Sequence, residues 1–237
     1  MLSAAIVLSM LSLVAQAATW DAQMFAGDRH RKAGRYTEAA ASYRAAMSAT
    51  TDERQQAITA NNLAALCLEL GDRDEARRLY RQALDTWQRI VSPDAPELAS
   101  TLNNLGALHA VEGRYKNAAW YYQRALAIRP LPNTLNNLAE MYRAEGRYSQ
   151  AEKMFRQLIE TLPADDPTLG TALNNLGELC RQKGRKTEAL EYYHRALAVW
   201  EKTLGPNHPY KTATLHNLAL VDSGRKQDVA ASAFQRR

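Results

Sequence analysis

The sequence predicts an all-α protein, a right-handed α-α superhelix (solenoid) of about six helix-turn-helix repeats. Three observations predict it. The tripeptide Asn-Asn-Leu returns at 61–63, 103–105, 136–138 and 174–176, and once more as His216-Asn217-Leu218. In the first four copies a glycine follows the first asparagine by ten residues, at Gly71, Gly113, Gly146 and Gly184. The segments on either side of each glycine carry apolar residues at helical spacing.

Taken in order, the first copy is degenerate. It has Met24-Phe25-Ala26 in place of Asn-Asn-Leu, and AGRYTEAAASYRAAM around Gly34. The next four have clear second segments: DRDEARRLYRQAL, RYKNAAWYYQRAL, RYSQAEKMFRQLI and RKTEALEYYHRAL. Leu102, Leu105 and Leu108 recur along the first segment of the third copy. Ala118, Tyr122, Ala125 and Leu126 form a stripe along its second, repeated by Ala151, Phe155, Leu158 and Ile159 and by Ala189, Tyr193, Ala196 and Leu197. The small residues let paired helices approach, and the ring fills the space between them. Copies start 42, 33, 38 and 42 residues apart, so the Asn-to-Gly distance is rigid and the connections vary. Pro93 and Pro96, Pro130 and Pro132, Pro163 and Pro167, and Pro206 and Pro209 punctuate those connections and mark helix ends. The last copy is shortened, with Gly224 two residues early. No unit buries its apolar face alone, so neighbours must stack.

Composition agrees. Hydrophobic residues make up 46% of 237, while Gly (11) and Pro (8) are too few for a turn-rich β protein. The net charge of +5 comes from 30 basic and 25 acidic residues. The longest basic run is Arg29-His30-Arg31-Lys32, which argues against nucleic acid as a partner. Residues 1–20 carry no charged side chain. Ile6 to Val14 are an apolar run and Ala15-Gln16-Ala17 a small-x-small pattern, so 1–17 reads as a signal peptide and the chain as exported, periplasmic or secreted. No Lys or Arg precedes the apolar run. An uncleaved membrane anchor and a misassigned start are the alternatives. Beyond that anchor no membrane insertion is expected.

Leu105-Gly106, His109, Ala118, Tyr122, Ala125 and Pro130 resemble the tetratricopeptide signature, as do Leu138-Ala139, Tyr142, Ala151, Phe155 and Pro163. The longer copies are similar to the kinesin-light-chain-like variety, with an extended second helix and the connection Leu204-Gly205-Pro206-Asn207-His208-Pro209. The resemblance spans about 20–237. It divides the array 18–237 into copies at about 20–55, 56–97, 98–130, 131–168, 169–210 and a degenerate 211–237. It implies a scaffold for a protein or peptide ligand, with the first helix of each copy lining a concave groove, and no enzymatic activity. An accessory or regulatory subunit of a larger exported or membrane-associated complex is the second reading.

No P-loop, Gly-x-Ser-x-Gly, His-Glu-x-x-His or Cys-x-x-Cys occurs, and no cofactor is expected. Cys67, His109, Tyr142 and Cys180 share one slot in four successive copies. Packed helices lie about 8–10 Å apart, too far for one metal to bridge at about 2–2.3 Å. The two cysteines are therefore expected as buried free thiols. Trp87 and Trp200 share another slot and are expected to pack under the long connections. The second asparagine of each pair (Asn62, Asn104, Asn137, Asn175, Asn217) should be structural, bonded to backbone or a neighbouring helix. The first (Asn61, Asn103, Asn136, Asn174) opens a polar stripe completed by Glu140 and Arg143, and by Glu178 and Arg181. The groove reading makes these eight residues the peptide-binding set, because a carboxamide offers both a donor and an acceptor to a peptide bond. On that reading the first asparagines are dispensable for the fold. Ala65, Leu68, Ala107 and Ala110 make the earlier part of the stripe apolar, so a ligand with one apolar and one charged end is expected. A hydrolase built on Glu140 and Glu178 is disfavoured, since the arginine near each would hold it ionised.

Overall fold

The computed structural model describes residues 19–204 and 210–221. The expected signal peptide (1–17), the connection at 205–209 and the sixth copy beyond Val221, Gly224 included, lie outside them. Among the described residues every regular element is an α-helix. In chain order these are α1 (19–32), α2 (Tyr36–Ala49), α3 (Glu53–Glu69), α4 (Arg73–Ile90), α5 (Pro96–Val111), α6 (Tyr115–Ile128), α7 (Pro132–Ala144), α8 (Tyr148–Thr161), α9 (Pro167–Gln182), α10 (Lys186–Thr203) and α11 (210–221). The first five copies are the pairs α1/α2 to α9/α10, and α11 opens the sixth.

Local chemistry sets each boundary. Asp52, Asp72 and Asp166 accept backbone N–H bonds from Gln55, Glu75 and Thr168 at 2.8, 3.2 and 2.7 Å, satisfying donors that a helix start leaves open. Pro96, Pro132 and Pro167 stand in the first turns of α5, α7 and α9, where a missing N–H costs nothing. The five turn glycines all have positive φ, between 71° and 83°. At Gly113 the amide donates to the Ala110 carbonyl (3.0 Å) and the Arg114 amide to the His109 carbonyl (2.9 Å), a Schellman closure. The ten-residue spacing thus has a cause: one left-handed residue must fall at the same point after every first helix.

The pairs close around one aromatic slot. Tyr43, Tyr80, Tyr122, Phe155 and Tyr193 are all buried. Tyr43, Tyr122 and Tyr193 face Gly27, Gly106 and Gly177 on the preceding helix, and Ala64 and Ala139 hold the same position in the repeat in the other two pairs. A Cβ on Gly106 would stand 2.5 Å from the Tyr122 ring, and one on Gly27 2.5 Å from that of Tyr43. Trp87 and Trp200 are buried to 2% exposure, as expected, and the Trp200 Nε1–H donates to the Pro167 carbonyl at 3.3 Å.

The helices gather into two compact units, one ending at Arg129 and the other beginning at Pro130. In the first, Leu63, Leu66, Leu79, Tyr80, Trp87, Leu105 and Leu108 form a core closed by Trp20, whose Nε1–H donates to Thr59 Oγ1 at 2.8 Å. In the second, Leu138, Phe155, Leu158, Leu173, Leu176, Leu179, Tyr193 and Trp200 are buried. Burial of each such side chain is worth about 1.5–3 kcal/mol.

Candidate functional site: the first-helix stripe

Ten residues before each turn glycine sits the slot of Met24, Asn61, Asn103, Asn136 and Asn174. Four and seven residues further along, one face of each first helix continues the stripe. In the first unit the structure gives Asn61, Ala65 and Leu68 on α3 and Asn103, Ala107 and Ala110 on α5, all half-buried. In the second it gives Asn136, Glu140 and Arg143 on α7 and Asn174, Glu178 and Arg181 on α9. All of these are half-buried except Asn136, which is buried at 5% exposure.

The asparagines bind one another. In the first unit Asn103 Nδ2 donates to Asn104 Oδ1 (3.2 Å), and Asn104 Nδ2 donates to Asn61 Oδ1 (3.1 Å) on the previous copy. The second unit repeats the geometry. Asn217 Nδ2 donates to Asn174 Oδ1 (3.4 Å), Asn174 Nδ2 to Asn175 Oδ1 (3.3 Å) and Asn175 Nδ2 to Asn136 Oδ1 (3.2 Å). Thr214 Oγ1 also donates to Asn174 Oδ1, at 2.9 Å. Asn104, Asn175 and Asn217 are therefore structural, as expected. The first asparagines are structural as well, contrary to the expectation that the fold does not need them. A carboxamide reaching the next first helix finds there a group of its own kind, and each neutral bond contributes about 1 kcal/mol. At Asn61 the Nδ2 group donates to no partner among the described residues.

The charged part of the stripe is paired. Arg143 bonds Glu140 at 2.8 Å and Arg181 bonds Glu178 at 2.6 Å. Tyr193 Oη donates to Glu178 at 3.0 Å and Gln182 Nε2 at 3.0 Å. Burial pushes the Glu178 carboxyl up, but Arg181, Tyr193 and Arg143 outweigh it and hold it below the usual carboxylate range. Such a group is a poor general acid. The stripe also extends further than the tripeptide signalled. Counting back from Gly34 puts Asp28 and Arg31 in the slots of Glu178 and Arg181. Asp28 accepts from Tyr43 Oη (2.5 Å) and Arg31 bonds Glu69. The first unit's stripe is thus apolar only in its second and third copies.

Sequence reasoning gave no sign of a buried ionic node at the end of α5. Glu112, 6% exposed in its side chain, meets Arg77, Arg114 (3.0 Å) and His109 Nδ1 (3.4 Å). His109 stacks on Tyr121 with centroids 5.2 Å apart, and burial first, then the arginines around it, depress its basicity against the pull of Glu112. The slot of Glu112 holds a glutamate again only in the next copy, as Glu145, and Ala33, Leu70 and Lys183 in the others, so the repeat does not mark it. Cys67 and Cys180 are buried and free. Among the described residues no cluster of His, Cys, Asp and Glu could hold a metal ion.

The tetratricopeptide repeat family model matches residues 55–130 and 168–237, and a second model of the same description matches 134–168. The chain belongs to the tetratricopeptide repeat family. In fold its repeats resemble those of kinesin-light-chain proteins. No curated protein matches the chain. Among solved structures, kinesin light chain tetratricopeptide-like repeats of Podosopora anserina align with a TM-score of 0.62 at 18% identity, over 77% of this chain and 94% of that one. BtubC (BKLC) of P. vanneervenii aligns with 0.62 at 22%, over 92% and 87%. PilF of Pseudomonas aeruginosa aligns with 0.63 at 20%, over 92% and 90%. At such identities the likeness is one of fold. The tetratricopeptide array is a protein-interaction scaffold, which gives this chain its general class of function. Among the described residues no helix is long and apolar enough to cross a membrane.

Proposed function

We propose that this tetratricopeptide array binds a peptide or protein partner along its first-helix stripe, which by family likeness lines the concave groove, and that it catalyses no reaction. The supporting observation is the asparagine ladder. It fixes the carboxamides of Asn61, Asn103, Asn136 and Asn174 before any ligand arrives, and the half-buried Asn61 keeps its Nδ2 group for one. Fixed groups lose little conformational entropy on binding. Ala65, Leu68, Ala107 and Ala110 favour apolar ligand side chains on the first unit. Glu140, Arg143, Glu178 and Arg181 favour charged ones on the second. The ladder limits which variants are informative, because Asn→Ala changes also weaken the fold. Ala107→Arg and Arg181→Ala alter the stripe and leave the ladder intact. With a partner captured from native extract, each should weaken binding at least about tenfold, with the melting curve in place for Ala107→Arg and only slightly lowered for Arg181→Ala, which strips Glu178 of its ion pair. Unchanged affinity in both would refute the stripe as the site.

The scaffold acts outside the cytoplasm, on the strength of the uncharged, apolar residues 1–17. Intact mass of the tagged, purified protein should give a mature N-terminus at Ala18. A full-length soluble product would refute export, and a full-length membrane-bound one would identify an anchor. An accessory-subunit role is the narrower form of the same reading, and one stoichiometric partner in the capture would distinguish it.

A further inference from the structure

Seven residues after each turn glycine the second helix carries an exposed slot. Its occupants are Ala41, Arg78, Trp120, Lys153 and Glu191. Four copies fill it with a small or charged side chain. The third fills it with an indole that stays 51% exposed, and the repeat packing gives no reason for it. Arg124, one turn along α6, lies over that ring with its guanidinium carbon 4.7 Å from the centroid. Among the described residues no carboxylate pairs with Arg124. Beside it opens a crevice of about 240 Å³ between α4, α5 and α6. Val91, Pro93, Leu98, Leu102 and Ile128 line it, and Arg124 is the charged residue at its rim. This is smaller than the roughly 300–1,000 Å³ of a small-molecule site and suits a side chain. At about 100° per residue along α5, Leu98 and Leu102 face away from Asn103 and Ala107, so the crevice is separate from the stripe.

We propose that the first unit carries a second docking site here, for a partner peptide with an aliphatic residue followed within one or two positions by a carboxylate. The aliphatic side chain enters the crevice and covers Val91, Pro93 and Ile128, the lining residues that keep exposed surface, above the buried Leu98 and Leu102. The carboxylate meets Arg124, the unpaired cation of the lining, and Trp120 backs the guanidinium and loses water as the peptide closes over it. Exposed aromatic and arginine anchors beside a pocket are where interface energy concentrates.

The test is methyl and indole NMR on the full chain with acetyl-Leu-Asp-amide as probe. The resonances of Leu98, Leu102, Ile128 and Trp120 should shift together and saturate at millimolar concentration. Acetyl-Leu-Asn-amide should bind about threefold more weakly, the scale of a partly solvated ion pair. Arg124→Glu should lose the acidic probe and prefer acetyl-Leu-Lys-amide. Equal binding of the Asp and Asn probes, or no shift at saturating peptide, would overturn the proposal. Shifts confined to Ala65 and Ala107 would overturn it too, while supporting the stripe. Shifts of the crevice methyls with protein concentration alone would assign the site to a second copy, and would equally overturn it.

Discussion

At the residue scale the asparagines carry the account. Their repetition was legible in the sequence, and so was the structural role of Asn104, Asn175 and Asn217. The role of the first asparagine was not, because spacing along one helix does not say what lies across the gap to the next. Asn104→Ala should lower stability by about 1–2 kcal/mol in denaturant unfolding, since it strands the Asn61 acceptor and the Asn103 donor. In a cycle with Asn61→Ala the two losses should overlap, with a coupling of about 1 kcal/mol. Strict additivity would contradict the ladder. Glu152 supplies a second residue-scale prediction. Burial would raise its pKa, but hydrogen bonds from Arg185, Arg156 and Lys183 lower it from 4.5 to about 2. A carboxyl depressed in the folded state stabilises fully above its unfolded pKa and loses that contribution as pH falls from 4.5 through about 2. Glu152→Gln should therefore flatten the acid limb of the stability curve while the wild type loses stability below pH 4.5. Identical acid limbs would count against the cluster.

At the element scale the turns and the close approaches were the most legible features. A glycine at fixed distance from a repeated tripeptide has few explanations, and its positive φ is one of them. Gly113→Val should cost about 1–2 kcal/mol, because a β-branched residue is strained in the left-handed region. Gly106→Ala separates propensity from packing. Alanine is the better helix former by about 1 kcal/mol, yet its Cβ would press into the buried Tyr122 ring at 2.5 Å. The ring is only 2% exposed and can move aside only by displacing its neighbours, so the substitution should destabilise by about 1–3 kcal/mol. A rise in melting temperature would show the approach to be looser than described. The charged slot of the first copy escaped notice for the converse reason. Met24-Phe25-Ala26 hides the tripeptide, and counting back from Gly34 recovers Asp28 and Arg31.

At the scale of the whole molecule the sequence disclosed the fold class through repetition, and disclosed less about how the helices cluster. The boundary at Arg129 and Pro130 falls in a short proline-bearing connection like its neighbours, with nothing in composition to single it out. The cysteines were legible through the same register. Burial raises the pKa of both thiols, so both should resist a thiol reagent in the native protein and titrate once it is denatured without reductant. An absence of titratable thiol in the denatured monomer would contradict the free state of Cys67 and Cys180. The proposed function rests on the stripe, and a photo-crosslinking residue placed at Ala107 tests it most directly. Exposed to native extract, the array should form a covalent adduct with a polypeptide from position 107 and none from the outer slot of Lys153. Adducts from the Lys153 position with none from Ala107 would contradict the account.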